Sequence, residues 1–153
     1  MTSEFGLSFT EQSFVDEGIR FRPLKLTLGN FVEGELADLT SWSETDYEEQ
    51  WMNELRAIVN SRDRGALIVS VHDPAHAFHI RSWPMWRIGT LVYFQSRILF
   101  MLDGDGHFDP KRVHELVGSH MVQDEDGQQL SEWSVSALAI WRFLDQHSSG
   151  MEN

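Results

Sequence analysis

Two consecutive segments near the amino terminus alternate between apolar and polar positions. Residues 19–28 alternate imperfectly, the pair Gly29 and Asn30 supplies a turn, and residues 31–39 alternate again. A period of two on both sides of a short glycine turn predicts a β-hairpin. Pro23 lies inside the first strand and has no N–H to donate, so we expect that strand to be at an edge or bulged.

The following segment changes to a helical period. Thr45 precedes Glu48 by three residues, which is the spacing of a capping box. Apolar residues then recur at intervals of three and four, at Tyr47, Trp51, Leu55, Ile58 and Val59. The pattern predicts an amphipathic helix over residues 46–60.

The middle of the chain is rich in β-branched and aromatic residues. Four runs separated by turn residues predict an antiparallel meander with strands at 66–71, 78–86, 91–95 and 97–102. Residues 108–122 fit a short helix in their first half and a strand at their end, so both alternatives stay open there.

The carboxyl-terminal part predicts one more strand and one more helix. Residues 130–135 favour a strand, and Ser134 or Ser136 can cap a helix that carries Leu138, Trp141 and Leu144 on one stripe. We expect the tail from residue 148 to be frayed. Strands and helices do not alternate regularly along the chain, which favours an α+β fold: a mainly antiparallel sheet packed with an internal amphipathic helix and a C-terminal helix.

Length and charge narrow the class of partner. The 153 residues fit one domain spanning 1–153, and 24 acidic against 12 basic residues give a formal net charge of -12. Such a field repels nucleic-acid phosphates and anionic lipid headgroups, and it accelerates association with a basic protein. A basic protein partner is therefore favoured over direct nucleic-acid or membrane binding.

Other features limit the chemistry and the location. The chain has no cysteine, which excludes thiol chemistry. Its longest apolar stretch, residues 91–102, is interrupted by Gln95, Ser96 and Arg97, and its first ten residues do not have the pattern of a signal peptide. We expect a cytoplasmic protein.

Three groups of residues have the composition of a catalytic or metal site. His72, His76 and His79 are of metal-ligand type, but a turn followed by a strand does not converge their rings, so solvated loop histidines are favoured. Asp103, Asp105 and Asp109 resemble a calcium loop, but His114 stands at the twelfth position, where such a loop needs a glutamate. The pairs Glu33 with Glu35 and Glu48 with Glu49 are more simply acidic surface than a glycosidase-like site. No catalytic residue and no cofactor is predicted.

The tryptophans allow two interpretations. Trp83-Pro84-Met85-Trp86, together with Trp42, could form an exposed recognition surface, since tryptophan is common at interface centres. The favoured alternative is that most of these rings fill the core and at least one is partly exposed.

Several motifs occur together in one order along residues 47–144. They are Tyr47-Glu48-Glu49-Gln50-Trp51, Ala66-Leu67-Ile68-Val69-Ser70 with Asp73-Pro74 after it, Trp83-Pro84-Met85-Trp86, Tyr93-Phe94-Gln95 and Ser131-Glu132-Trp133-Ser134. In these motifs the chain resembles the bacterial contact-dependent growth inhibition immunity proteins, and Ser-Glu-Trp-Ser is the most specific piece. The amino-terminal hairpin contributes little to the resemblance.

The resemblance implies a cytosolic antitoxin that binds the carboxy-terminal toxin domain delivered by a neighbouring cell, one-to-one. That domain is commonly a nuclease, an RNase or DNase, and an acidic protein can occupy or flank its basic cleft. The shared motifs can be scaffold, so none of them is carried over as the toxin contact.

Density of acidic residues suggests where the toxin binds. The hypothesis is a patch drawn from the second hairpin strand, the first helix and an acidic turn, with Trp42 as an aromatic anchor: Glu33, Glu35, Asp38, Trp42, Glu44, Asp46, Glu48, Glu49, Asp124, Glu125 and Asp126. Two alternatives stay open: a small metal-dependent hydrolase using His72, His76 and His79, and an acidic adaptor domain for another basic protein.

Overall fold

The described residues form two antiparallel sheets and two α-helices. The computed structural model describes residues 4–72, 79–100 and 109–151, and of residues 79, 97–100 and 148–151 it describes the backbone alone. The strands are β1 (Phe5–Phe9), β2 (Phe14–Asp16), β3 (Ile19–Leu28), β4 (Phe31–Asp38), β5 (Arg64–Ser70), β6 (His79–Ile88), β7 (Leu91–Phe94), β8 (Arg97–Phe100) and β9 (Trp133–Ser136). The helices are α1 (Glu44–Asn60), a 3-10 helix (Pro110–Leu116) and α2 (Ala137–Met151). The antiparallel α+β class predicted from the sequence is confirmed.

The first sheet is built around β3. β1 and β2 pair with successive parts of one side of β3, and β4 pairs with the other side. The predicted hairpin is confirmed with its turn at Gly29, whose φ of 64° is a conformation that glycine adopts without strain. The strands β1 and β2 have no counterpart among the sequence predictions.

The expectation that the strand containing Pro23 is at an edge or bulged is wrong, since its register with β4 is continuous. β3 is the central strand, but Pro23 lies between the part that pairs with β2 and the part that pairs with β1. Its carbonyl accepts a hydrogen bond from Thr10 N at 3.0 Å, so its missing N–H also points toward the junction of β1 and β2. The proline therefore interrupts no ladder on the β4 side.

The second sheet has the order β5-β6-β7-β9, and β8 pairs with the first half of β6. The two sheets and both α-helices contribute to one buried apolar cluster. Trp51 and Trp83 lie at its centre, and the whole segment Trp83-Pro84-Met85-Trp86 is buried. That segment is therefore not an exposed recognition surface, whereas Trp42 is partly exposed and Trp141 is 54% exposed.

The terminal helix buries a different stripe from the predicted one. Ser136 does cap it, since its hydroxyl accepts from Ala139 N at 3.1 Å. Leu144 is buried as expected, but Leu138 and Trp141 are exposed and the core receives Ile140 and Phe143 instead. The backbone of α2 continues to Met151, where a frayed tail from residue 148 was predicted.

Within residues 108–122, for which the sequence allowed a helix or a strand, Pro110–Leu116 form the 3-10 helix. Asp109 caps it by accepting from Lys111 N at 3.0 Å. No strand forms at residues 120–122, and in the described part of the segment that follows, Gln123 and Gln129 form an isolated bridge. Asp103 and Asp105 of the candidate calcium loop lie outside the described residues.

Candidate functional site

The amino terminus of α1 is fixed by a capping box. Ser43 Oγ accepts from Asp46 N at 3.2 Å, and the Asp46 carboxylate accepts from Ser43 N at 2.9 Å. The N-cap is thus Ser43, and the sequence prediction of Thr45 was wrong by two residues. Glu44 and Asp46 also place negative charge in the first helical turn, which the helix dipole favours.

The inner face of α1 covers the free edge of β5. Gln50 acts like a peptide group, because its Nε2 donates to Ala66 O at 2.8 Å and its Oε1 accepts from Ile68 N at 2.9 Å. Trp51 Nε1 donates to Ile68 O at 2.7 Å, and Glu54 Oε1 accepts from Ala66 N at 3.2 Å. The edge strand thus has its backbone groups satisfied by a helix instead of another strand.

Tyr47 closes the same edge at its far end. Its hydroxyl donates to Asp38 O at 2.6 Å and accepts from Val71 N at 3.1 Å. Burial raises the pKa of Tyr47 to about 12, the hydrogen bond with Val71 opposes this shift, and the charge of Asp38 adds to it. The phenol therefore stays a neutral donor at physiological pH.

These inward contacts determine the outward face of α1. Glu48, Glu49, Asn53 and Arg56 are exposed. Among the residues that the structure describes, neither Glu48 nor Glu49 has a hydrogen-bond or ion-pair partner. Both carboxylates are consequently available to a partner molecule.

An open groove of about 420 Å³ runs between α1 and the start of the 3-10 helix. Its lining residues come from α1, from the loops before and after α1, and from the 3-10 helix: Trp42, Asp46, Glu49, Gln50, Asn53, Glu54, Arg62, Pro110 and Lys111. Three of the predicted toxin-binding residues, Trp42, Asp46 and Glu49, therefore share one concave surface. The Trp42 ring packs edge-on against Tyr47, with centroids 5.0 Å apart and planes at 70°.

Part of this groove consists of residues that the sequence did not predict as contacts. Asn53 lies one turn after Glu49 on α1, so helical spacing alone could have included it. Glu54 is buried at its floor and accepts from Arg62 Nη1 at 2.7 Å. Lys111 comes from a distant segment, and no local signal pointed to it.

Several other predicted contact residues already have partners within the chain. Glu44 accepts from Arg22 Nη1 at 3.3 Å. Glu35 accepts from Arg81 Nη1 at 3.1 Å, and its strand neighbour Glu33 is partly buried beside it. Burial raises the pKa of Glu35 above its ordinary value, although the Arg81 charge opposes this shift.

Asp38 is the most deeply buried of the predicted contacts, with 5% of its surface exposed. Its Oδ1 accepts from Thr40 N at 2.8 Å, and its Oδ2 lies 2.7 Å from His72 Nδ1. Burial alone would raise the pKa of Asp38, but the hydrogen bonds from Thr40 and His72 outweigh it and hold the pKa below its ordinary value. Asp38 therefore joins β4 to the end of β5 and presents little surface.

The acidic turn is shaped by its own hydrogen bonds. Asp124 Oδ1 accepts from Asp126 N and Gln128 N, both at 2.9 Å, which shapes the turn itself. The adjoining segment packs on the sheet face that carries Trp86 and Tyr93, whose rings contact His120. Neighbouring residues of these strands, such as Met85, alternate to the opposite face, and Trp86 and Met85 both belong to the buried cluster. The residues of the acidic turn are not among those that line the α1 groove.

The most specific shared motif has a structural role. Glu132 Oε2 accepts from Gln95 Nε2 at 2.8 Å and pairs with His120 Nε2. Gln95 Nε2 also donates to Met121 O at 2.8 Å. Glu132 therefore anchors the segment between the 3-10 helix and β9 onto the second sheet, as expected of scaffold.

The histidine cluster is only partly described. His72 is engaged with Asp38, whereas His76 and the side chain of His79 lie outside the described residues. Within the described residues, no group of three or more histidine or carboxylate side chains is placed to hold a metal ion. In the same part of the chain, no helix combines the length and apolar character needed to cross a membrane.

Comparison with known proteins gives concordant matches. A family model described as the CdiI N-terminal domain matches residues 37–143. The immunity protein CdiI of Enterobacter cloacae subsp. cloacae is 24% identical over 139 residues, which cover 91% of this chain and 95% of that relative. A solved chain of the CdiA-CT/CdiI toxin and immunity complex from Enterobacter cloacae matches with a TM-score of 0.86 at 23% identity, covering 95% of this chain and 99% of that one. At this identity the structural match establishes a shared fold.

Proposed function

Since this chain belongs to the CdiI family of contact-dependent growth inhibition immunity proteins, we propose that it binds and neutralises the toxin domain of a cognate system. The observation that carries this proposal is the family match over residues 37–143. The fold shared with a chain from a toxin and immunity complex over 95% of this sequence supports it.

The cognate toxin domain is a basic nuclease, bound one-to-one in the cytoplasm. The support is electrostatic: a chain with a net charge of -12 attracts a protein that grips nucleic-acid phosphates. Free carboxylates on the outward face of α1 supply local negative charge where a groove can receive a partner. The protein then acts by binding alone, and it excludes the nucleic acid by occupying or flanking the cleft.

The contact surface centres on the acidic residues of α1 and the adjoining loop. Glu49, Asp46 and the neighbouring Trp42, which line the groove, are its main elements, and Glu44 and Glu48 lie beside them at the rim, where a charge acts mainly on the association rate. Glu33, Glu35 and Asp38 support the surface from β4, since ion pairs and hydrogen bonds within the chain already hold two of them. Glu125 and Asp126 do not line the groove, and Asp124 shapes their turn, so these three residues form a second candidate contact.

The decisive experiment is co-purification with the carboxy-terminal domain of the secreted protein encoded immediately upstream. Titrating this chain into a nuclease assay of that domain should lower the nuclease activity in proportion to the amount added. Inhibition should be complete at one molar equivalent. Binding without any measurable nuclease activity would keep the immunity function and reject the nuclease. Absence of binding at low salt, where charge attraction is strongest, would reject the immunity function itself.

A further inference from the structure

The α1 groove, with a volume of about 420 Å³, is an open socket that can admit a long side chain of a partner. It is bounded by the outward face of α1 on one side, by Pro110 and Lys111 on the other, and by Trp42 and Glu54 among its remaining lining residues. We propose that this groove receives a single arginine or lysine side chain of the toxin domain, held between the Trp42 ring and the Glu49 carboxylate. The inference rests on the proposed function and specifies where the partner binds.

The charges that line the groove select a cation. The Glu54 carboxylate is buried and neutralised by Arg62, so its charge is already matched. Glu49 is exposed and has no partner among the described residues, and the Asp46 carboxylate uses one oxygen, Oδ2, in the capping box. The unmatched charge on the α1 wall is thus negative. An arginine or lysine side chain of the partner neutralises this charge.

The aromatic wall is held in place before any partner arrives. Trp42 packs edge-on against Tyr47, and Tyr47 is fully buried with its hydroxyl bonded to two backbone groups. A guanidinium or ammonium group gains energy over a tryptophan face, and an anchored ring loses little entropy on binding. Tryptophan near the centre of a contact is also a frequent source of binding energy.

Lys111 on the opposite wall determines the orientation of the occupant. Its exposed ammonium repels a second cation and can donate to a carbonyl or carboxylate of the partner. The incoming basic side chain therefore lies against α1, and the neighbouring acceptor of the partner lies toward the 3-10 helix.

Glu48 and Glu49 provide a matched pair for the test. They are adjacent on α1, equally charged, exposed and without partners among the described residues, but only Glu49 lines the groove. The probe is the toxin domain encoded immediately upstream, and its Kd is measured by calorimetry for the wild type, Glu49→Lys and Glu48→Lys. We expect Glu49→Lys to raise Kd at least about tenfold and Glu48→Lys to raise it less than about threefold.

The outcomes separate this inference from the proposed function. If both substitutions weaken binding equally, α1 attracts the toxin through its overall negative charge. That result would reject the proposal that the groove receives one basic side chain, and it would leave the immunity function intact. No effect of either substitution on a wild-type protein that binds would also overturn the socket. Failure of the wild type to bind would instead remove the proposed function.

A second variant tests the aromatic wall. Trp42→Ala should raise Kd by roughly tenfold or more, and Trp42→Phe, which keeps a ring against Tyr47, should recover part of that loss. Thermal unfolding of each variant is the control, since Trp42→Ala also removes packing. An unchanged Kd for a folded Trp42→Ala would overturn the inference.

Discussion

Phe31 and Trp133 stack face to face, with ring centroids 3.8 Å apart and planes at 12°. Phe31 begins β4 in the first sheet, and Trp133 begins β9 in the second sheet, so the stack joins the two sheets where no strand pairing does. It also places the Ser131-Glu132-Trp133-Ser134 motif in the packing between sheets. This relationship explains a second structural role for that motif beside the hydrogen bonds of Glu132.

The stack predicts a measurable coupling between the two rings. Phe31→Leu and Trp133→Leu should each destabilise the protein, and the double variant should lose about 1 kcal/mol less than the sum of the two single effects, because either substitution alone already removes the stack. The free energies of unfolding come from urea titrations. Additive effects of the two substitutions would contradict an energetic role for the stack.

Gln50 is predicted to be a stability residue in spite of its position beside the groove. Gln50→Leu removes the hydrogen bonds to Ala66 O and Ile68 N, and leaving these buried groups unpaired should lower the free energy of unfolding by roughly 2–3 kcal/mol. Asn53→Leu, an exposed amide one turn away, should change it by less than about 0.5 kcal/mol. Urea midpoints give both values, and equal effects would contradict the edge-capping role.

Asp38 and Glu35 are predicted to affect stability in opposite directions as pH changes. The pKa of Asp38 is lowered in the folded protein, so its stabilisation is complete above the ordinary value of 3.8 and is lost as pH falls through the lowered pKa. The pKa of Glu35 is raised, so the folded state binds its proton more tightly and stability falls as pH rises above 4.5.

The measurement compares unfolding free energies of the wild type, Asp38→Asn and Glu35→Gln between about pH 3 and pH 7. The advantage of the wild type over Asp38→Asn should grow with pH in the acidic range. Its advantage over Glu35→Gln should shrink across the range above pH 4.5. Parallel curves for all three proteins would contradict the environments seen for these two carboxylates.

Local sequence signals predicted which helices and strands form better than they predicted where a helix starts or which of its faces is buried. The hairpin was predictable because a period of two and the Gly29 turn act within about twenty residues. The start of α1 was misplaced because Ser43 with Asp46 has the same capping-box spacing as Thr45 with Glu48. The choice between them is made by Tyr47, Gln50 and Trp51, which must face the edge of β5.

The same limitation applies to α2 and to the candidate site. Ile140 and Phe143 form a stripe as regular as that of Leu138 and Trp141, and packing against the sheets decides which is buried. The density of acidic residues did identify Glu49 at the surface. It could not reveal that Glu35 is paired with Arg81, which lies 46 residues away along the chain.

Glu132 is predicted to hold down the segment between the 3-10 helix and β9. Glu132→Ala removes its contacts with Gln95 and His120, so backbone amides in that segment, such as Leu130, should lose protection against hydrogen exchange. Ser131→Ala, at the exposed neighbouring position, is the control and should leave exchange unchanged. Toxin affinity should change little in either variant, and a large loss confined to Glu132→Ala would instead place the contact on this side of the protein.

Charge reversal at the acidic turn distinguishes the two acidic surfaces. Glu125 and Asp126 are exposed, and neither residue lines the α1 groove. Replacing both with lysine changes the net charge by the same +4 as Glu48→Lys combined with Glu49→Lys, so general attraction to a basic toxin weakens to a comparable extent.

Because the turn does not line the α1 groove, we expect its double variant to lower the association rate less than about threefold and to leave the dissociation rate unchanged. The α1 double variant should raise the dissociation rate. Surface plasmon resonance with the immobilised toxin domain at two salt concentrations measures both rates, and a faster dissociation of the turn variant would assign the toxin contact to residues 124–126.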